Sequence, residues 1–485
     1  MNTEKSFNDY SLSEELLKSI SLLGYENPTH VQDKVIPEML AKKDIVVKSQ
    51  TGTGKTASFA IPICEMIEWG KNKPQVLVLA PTRELAIQVK EDIFNLGRFK
   101  RIKVAAVYGR ESFSKQEREL KQKTHVVVGT PGRLVDHIEK ETIDLSEIEF
   151  LIVDEADEMF KMGFLEQMES ILDILPKSRV NVVLSATMPE DVDKLFNKNL
   201  KSPVLIEIEN TNPALEKIEQ IRYEVEEEDK FQLLRKLTVV ENPDSCIIFC
   251  NTKDMVDDVF VFLRKQSYPI ERIHGGMEQK DRLKVMNKFK RGYFRYLVAT
   301  DVAARGIDID SISLVINYEI PIDPEVYVHR IGRTGRIGKA GRALTIMTEK
   351  ENYYLENIQE YIGKEIPLGT IPEGEEVFNS EEAFKIKINA QPKIKQSKDE
   401  EMNKEILKIH INAGKKTKMR AVDIVGTLCN IEGMTADDIG VINIMDISTF
   451  VEILNNKGEM VFKELQNRPI KGRVRKVSKG NIRPY

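Results

Sequence analysis

The chain has 485 residues, 41% hydrophobic and 31% charged, with a formal net charge of −5. That length exceeds what one hydrophobic core supports, so two or three domains are expected, and the composition is that of a soluble globular protein in which disorder is only local. The charge is unevenly spread: residues 401–485 carry 15 Lys and Arg against 10 Asp and Glu, a net of +5, which leaves −10 for residues 1–400 and marks a basic module on an acidic body.

The segment from Met1 to Ile20 lacks a signal-peptide apolar core, and nowhere do about 18 apolar residues run together. No membrane association and a cytoplasmic location are therefore expected. From Gly24 to about Val204, short apolar runs (DIVVKS, QVLVLAP, HVVVGTP, FLIVDEAD, NVVLSAT) alternate with helix-length amphipathic stretches, the pattern of parallel strands joined by crossover helices. SQTGTGKT (Ser49–Thr56) follows the first of these strands and opens a helix, the context a phosphate-binding loop requires. Gln50, Thr51, Gly52, Thr53 and Gly54 would wrap the phosphates with backbone N–H groups, Lys55 would reach the β- and γ-phosphates, and Thr56 would offer its hydroxyl to Mg²⁺. About one hundred residues on, FLIVDEAD places Asp154 and Glu155 at the end of a buried strand. Asp154 would hold Mg²⁺ and Glu155 would orient or deprotonate the attacking water, since phosphoryl transfer needs positioning more than covalent chemistry.

A second series of apolar strands (SCIIFCNT, ERIHGG, RYLVATD, LVINYEIP, GRALTIM) runs from about Lys217 to Thr370 and predicts a second α/β domain. The four cysteines, Cys64, Cys246, Cys250 and Cys429, lack metal-ligand spacing and are expected to be buried thiols, with Cys246 and Cys250 on one side of a strand. Residues 371–403 are rich in charge and poor in aromatics, and are read as a mostly extended linker. Beyond them, KEILKIHINAG, KKTKMRAVDIVGTLCNI, DIGVINIMD, STFVEIL, VFKEL and KGRVRKVSK suggest β-α-β-β-α-β, the order of RNA-recognition folds, over residues 404–480. The strands that would carry base-stacking aromatics lack that signature, so charge is the other route to RNA. Lys415, Lys416, Lys418 and Arg420 form one basic cluster and Lys471, Arg473, Arg475, Lys476 and Lys479 a second, with a merely solvated basic face as the alternative.

Taken in order, these motifs resemble those of the DEAD-box helicases over Phe7 to about Thr370. The resemblance implies two tandem RecA-like parallel-sheet domains, residues 1–206 and 217–370, followed by a small α+β domain like an RNA-recognition fold. It also implies ATP as the nucleotide: GYENPTHVQ matches the adenine-reading segment, with Gln32 reading the base edge, Tyr25 stacking on it, and Phe7 alongside. Core packing is the alternative for Phe7 and Tyr25. By the same resemblance, Pro81, Thr82 and Arg83, Gly109, and Thr130, Pro131, Gly132 and Arg133 would grip RNA phosphates. At Arg110 the chain departs from the second Gly that relatives usually carry. Ser185 and Thr187, with Asp157 and His329, would tie nucleotide state to RNA binding. In the second domain, Thr252, Gln279, Arg282 and Thr300 would face RNA and Gly306 and Asp308 the ribose or γ-phosphate. Arg333 and Arg336 in HRIGRTGR would be arginine fingers, so that hydrolysis needs domain closure.

The segments INAGKKTKMR and DIGVINIMD resemble the C-terminal domain of the DbpA/YxiN subfamily. That implies a hairpin of 23S ribosomal RNA and 50S assembly intermediates as partners, and non-processive local unwinding as the activity. Two other functions are alternatives: an ATP-gated RNA clamp or chaperone without strand separation, for which the residues would look the same, and a DNA helicase or translocase, which shares the phosphate loop and arginine fingers but would need neither GYENPTHVQ nor the basic tail.

Overall fold

The computed structural model describes residues 5–49, 53–188, 190–208, 218–301, 312–335, 341–390, 392, 394 and 400–480. It divides into two units, Met1–Ile208 with Ser397–Tyr485, and Glu209–Gln396. In the first, β1 (Ile45–Lys48), β2 (Val76–Leu79), β3 (Val104–Val107), β4 (Val126–Gly129), β5 (Phe150–Val153), β6 (Val180–Ser185) and β7 (Val204–Glu207) form a parallel sheet of order β3-β4-β2-β5-β6-β1-β7. Its strands are near-continuous Val, Ile and Leu because helices cover both faces. Alternate residues feed two cores: Val76 and Val78 join Ile45, Val47 and Ile152 on one side, while Leu77 and Leu79 join Val46, Leu151 and Val183 on the other.

The second unit repeats the design with β8 (Ile218–Glu224), β9 (Cys246–Phe249), β10 (Ile270–Ile273), β11 (Tyr296–Ala299), β12 (Leu314–Asn317) and β13 (Gly341–Met347), all parallel in the order β10-β11-β9-β12-β13-β8. Cys246 and Cys250 lie in the same core with Ile248, as expected, and Cys64 is buried too. Cys429 is exposed, contrary to expectation. It sits at the end of a short helix whose inward face is carried by Ile424 and Leu428.

The supposed linker is a second correction. Gly374–Asn389 is a 16-residue helix lying on helix Lys230–Glu241. Phe384 is buried against Tyr268 with ring centroids 5.1 Å apart, Val377 and Ile388 pack on the same core, and Glu381 pairs with Arg235 at 3.2 Å. Val377, Phe384 and Ile388 recur at helical spacing, a stripe that the surrounding charges obscure. Replacing Phe384 by Ala should destabilise the second domain by about 3 kcal/mol or more, seen as an earlier transition for that domain in denaturant unfolding of the full chain.

The C-terminal domain has the predicted β-α-β-β-α-β order. Strands β14 (Leu407–Ile411), β15 (Ile439–Ile444), β16 (Thr449–Ile453) and β17 (Val477–Lys479) form an antiparallel sheet of order β15-β16-β14-β17. Ile409, Ile411, Val451 and Ile453 share a core with Ile424 and Leu428 of helix Ala421–Cys429 and Val461 and Leu465 of helix Gly458–Leu465. The alternate residues Lys408, His410, Phe450 and Glu452 therefore lie on the other face.

That other face packs on the first helicase domain. Arg98, 1% exposed, donates from Nε and Nη2 to the two Glu452 carboxylate oxygens at 3.2 and 3.0 Å, and from Nη1 to Asn403 Oδ1 at 2.7 Å. Lys103 Nζ donates to the Ile442 carbonyl at 2.6 Å, and Arg101 to that of Ala436 at 2.6 Å. Beside them Phe99, Met402, Ile406 and Leu454 form a small apolar cluster with Leu22 and Leu23. Burial, helped by the charges of Lys123 and Lys415, pushes the Lys103 ammonium down to about 8. The module expected beyond an extended linker is thus seated on the first domain.

Candidate nucleotide and RNA sites

Parallel strands send every crossover helix out from the carboxyl edge of the sheet, and the sequence-predicted site residues of the first domain gather there. Gly54 caps helix Lys55–Met66 with φ +90°, and a Cβ there would stand 2.6 Å from Gln32 Nε2, so only glycine fits. Lys55 is buried and donates from Nζ to the Ser49 carbonyl at 2.9 Å. Gln32, 2% exposed, is held at both ends of its amide: Oε1 accepts from Thr29 N at 2.9 Å and Nε2 donates to the Gly54 carbonyl at 3.2 Å. The segment expected to read adenine therefore also braces the phosphate loop, reinforced by Thr29 Oγ1 donating to the Thr53 carbonyl at 2.9 Å. Phe7 is buried in the first core, edge-on to half-buried Tyr25 with centroids 6.3 Å apart. Gln50, Thr51, Gly52, Gly306, Asp308 and Arg336 lie outside the described residues.

Asp154 follows β5, is 3% exposed, and has a buried Oδ1 that accepts no hydrogen bond among the described residues. Burial raises its pKa, against the nearby Lys55 charge and the Glu155 backbone N–H. An acceptor-only oxygen buried near an ammonium and beside a phosphate loop fits a hard, oxygen-seeking cation such as Mg²⁺, with the Thr56 hydroxyl as a second donor. Glu155 has left-handed φ 53° and ψ 54°, a conformation that costs a non-glycine residue about 1–2 kcal/mol. Such strain persists where surrounding structure imposes it, and here it falls at the turn from β5 into helix Ala156–Lys161.

Asp157 joins the two motifs that the sequence had set apart by some thirty residues. Its Oδ2 accepts from Ala186 N, Thr187 N and Thr187 Oγ1 at 3.2, 3.0 and 3.1 Å, and its own N–H donates to Ser185 Oγ at 3.2 Å. Burial opposes ionisation of Asp157, but the hydrogen bonds from Thr187 and Ser185 and the Lys55 charge outweigh it and hold the carboxyl below its usual range.

The other expected RNA loops occupy the same edge. Thr82 caps helix Arg83–Leu96, accepting from Leu85 N at 3.2 Å, and Thr130 precedes helix Pro131–Glu139 with Pro131 at its start. A Cβ on Gly109 would lie 3.4 Å from the Arg83 guanidinium, which brings those two residues together. Arg133 is turned onto the Glu111 carbonyl and Gln116 Oε1, both at 3.1 Å, and pairs with Asp136. Arg110, exposed, stands at φ 61°, so the departure from a second glycine places a side chain in a glycine conformation.

In the second unit Thr252 caps helix Lys253–Lys265, Gln279 opens helix Gln279–Lys290 with Arg282 buried one turn on, and Thr300 follows β11. His329 is in the last turn of helix Pro324–Ile331, and Arg333, buried, follows it. Sequence reading missed Arg330, 1% exposed, which grips Asp301 with Nε and Nη2 at 2.5 and 2.7 Å and donates to Asn251 Oδ1 and the Glu319 carbonyl at 2.7 Å each. Its place three residues after Tyr327, among the buried residues Tyr327, Val328 and Ile331 of its helix, was the available signal. In the C-terminal domain Lys471 Nζ donates to the Lys418 carbonyl at 2.5 Å, so the two basic clusters adjoin, with Lys415, Lys416, Lys418, Arg420, Arg473 and Lys476 exposed.

Residues 29–195 match the DEAD/DEAH box helicase family, 229–338 the helicase conserved C-terminal domain, and 408–479 the DbpA RNA binding domain. The chain is 54% identical over 475 residues, 98% of its length and 99% of the relative's, to the ATP-dependent RNA helicase DbpA of Bacillus subtilis. It belongs to the DbpA subfamily of DEAD-box RNA helicases. The helicase core is also similar to the DEAD-box helicase CshA of Geobacillus kaustophilus, 43% identical over 73% of this chain and 76% of that one. Among solved structures, S. cerevisiae Dbp5 bound to RNA and ADP BeF3 covers 79% of this chain and is itself wholly covered, with 31% identity and a TM-score of 0.71. Among the described residues of this DbpA-type helicase, no helix is long and apolar enough to cross a membrane.

The Arg110→Gly variant should relieve the left-handed strain and raise stability by about 0.5–1 kcal/mol, measured as a higher denaturation midpoint at unchanged slope; an unchanged or lower midpoint would contradict it.

Proposed function

We propose that this RNA-dependent ATPase drives non-processive, local unwinding of structured RNA in the cytoplasm, with 23S ribosomal RNA in 50S assembly intermediates as its substrate. The observation that carries the reading is the joining of phosphate loop, Asp154–Glu155 strand end and Ser185–Thr187 turn through Lys55 and Asp157, in a chain that also has a DbpA RNA binding domain. ATP is bound with its adenine near Tyr25, Gln32 and Phe7 and its phosphates on the loop from Gln50 to Thr56, where Lys55 exchanges the Ser49 carbonyl for phosphate oxygens. Thr56 and Asp154 would hold Mg²⁺, which would supply neutralisation of phosphate charge. Glu155 orients the attacking water and accepts its proton. Arg333 and Arg336 stabilise charge on the transferred phosphoryl group, so turnover draws on both helicase domains, with Gly306 and Asp308 completing the nucleotide contacts.

RNA is held mainly through sugar and phosphate by Pro81, Thr82, Arg83, Gly109 and Thr130–Arg133 in the first domain and Thr252, Gln279, Arg282 and Thr300 in the second. His329 joins Asp157, Ser185 and Thr187 in transmitting nucleotide state. Selectivity for ribosomal RNA comes from the adjoining basic clusters of the C-terminal domain.

The test is the ATPase rate, at fixed salt, with no nucleic acid, poly-A RNA, single-stranded DNA or 23S ribosomal RNA, beside separation of a short duplex flanking 23S sequence. Stimulation by 23S RNA above all others, with strand separation, is expected. Equal stimulation by both RNAs would refute the ribosomal target, and stimulation without separation would leave an RNA clamp. Glu155→Gln should lower turnover by roughly 10²–10⁴, and Arg333→Ala by roughly 10³–10⁵ with ATP affinity largely kept; loss of affinity alone in Arg333→Ala would refute the finger role. Replacing Lys415 and Lys416 together by Ala should flatten the slope of log affinity against log salt by about 1–2, read by titrating labelled RNA at several salt concentrations.

A further inference from the structure

Part of the face of the C-terminal sheet that RNA-recognition folds expose for stacking bases is covered here, while His410 and Phe450 on the same face are half-buried. Glu452 and Lys408 are 3% and 5% exposed, and they lie on strands whose opposite face forms the domain's core. The cover is the run from Arg98 to Lys103, which leads into β3 from its amino end, whereas the nucleotide and RNA loops leave the carboxyl ends of the strands. The contact centre is ionic: a two-pronged Arg98–Glu452 pair with Lys103 and Arg101 on backbone carbonyls. Lys18 adds Glu405 at 3.1 Å, and the apolar part is small. Permanent interfaces resemble a divided apolar core, while contacts centred on charges that water can reclaim are those of domains that part and rejoin.

We propose that this contact is a reversible clamp: the C-terminal domain alternates between a docked state, closed by Arg98 and Glu452 on the amino edge of the first helicase domain, and a released state in which its sheet face is open. RNA that engages the docked protein meets the domain's basic loops and not the part of its sheet around Lys408 and Glu452. All three nitrogen donors of Arg98 reach the C-terminal segment, so its replacement removes the central ionic contacts of the clamp and leaves the first domain's own hydrogen bonds in place.

The experiment is a distance measurement between spin labels in the full chain, one on exposed native Cys429 and one on exposed Glu139→Cys, the other cysteines being buried. At low salt the unaltered pair should show a narrow distance population. Arg98→Glu or Glu452→Arg should lower the ratio of docked to released molecules by roughly tenfold or more. The combined charge swap should restore the narrow population, which guards against simple misfolding, and 1 M KCl should shift the unaltered protein part-way to the released state. A broad distribution in the unaltered protein, or a narrow one that neither single reversal nor salt disturbs, would overturn the clamp.

Discussion

Because every strand of both helicase sheets runs the same way, every crossover helix starts at one edge, and the first N–H groups of each helix need partners that the helix cannot provide. The chain meets this demand in two ways. Thr82 and Thr252 cap their helices with their own side chains. Gly54 and Thr130 make no side-chain cap, so their helices present N–H groups and a positive dipole end to the edge where phosphates of nucleotide and RNA would lie. Burial of Asp154 and Lys55 at that edge, and the strained Glu155 between them and Asp157, depend on the same geometry.

Much of this was legible because the signals were local. A run such as QVLVLAP has to be a doubly buried strand, and the residues just past its end have to lie at the carboxyl edge of the sheet, where Thr82, Thr130 and Asp154 are found. The bracing of the phosphate loop by Gln32 was not legible, since it depends on a side chain meeting a backbone carbonyl 22 residues away. Arg330 escaped for a related reason: its Asp301 and Asn251 partners come from two other strand ends. Helix Gly374–Asn389 was hidden by composition, because three apolar residues at helical spacing suffice when a neighbouring helix and Tyr268 supply the rest of the core. Cys429 shows the converse, an apolar-looking stretch whose final residue faces solvent beside buried Leu428.

Charge sorts the C-terminal domain into two surfaces. One carries Lys415–Arg420 and Lys471–Lys476, held beside each other by Lys471 on the Lys418 carbonyl. The other offers Glu452, Glu405 and backbone carbonyls to Arg98, Arg101, Lys103 and Lys18. The net basic count of residues 401–485 therefore understates the contrast, since acidic groups on one side offset cations gathered on another. A domain divided in this way can meet an acidic polymer and a basic protein surface at the same time.

The helix that replaces the supposed linker also redraws where the motor ends. Stopping the chain at Thr370, where the last recognisable helicase segment finishes, would strip the cover from Tyr268 and helix Lys230–Glu241 and leave an apolar face open to water. A shortened protein of that length would tend to self-associate, and a loss of activity in it would be misread as dependence on the RNA-binding domain. The natural cut lies after Asn389, where the helix has finished its packing.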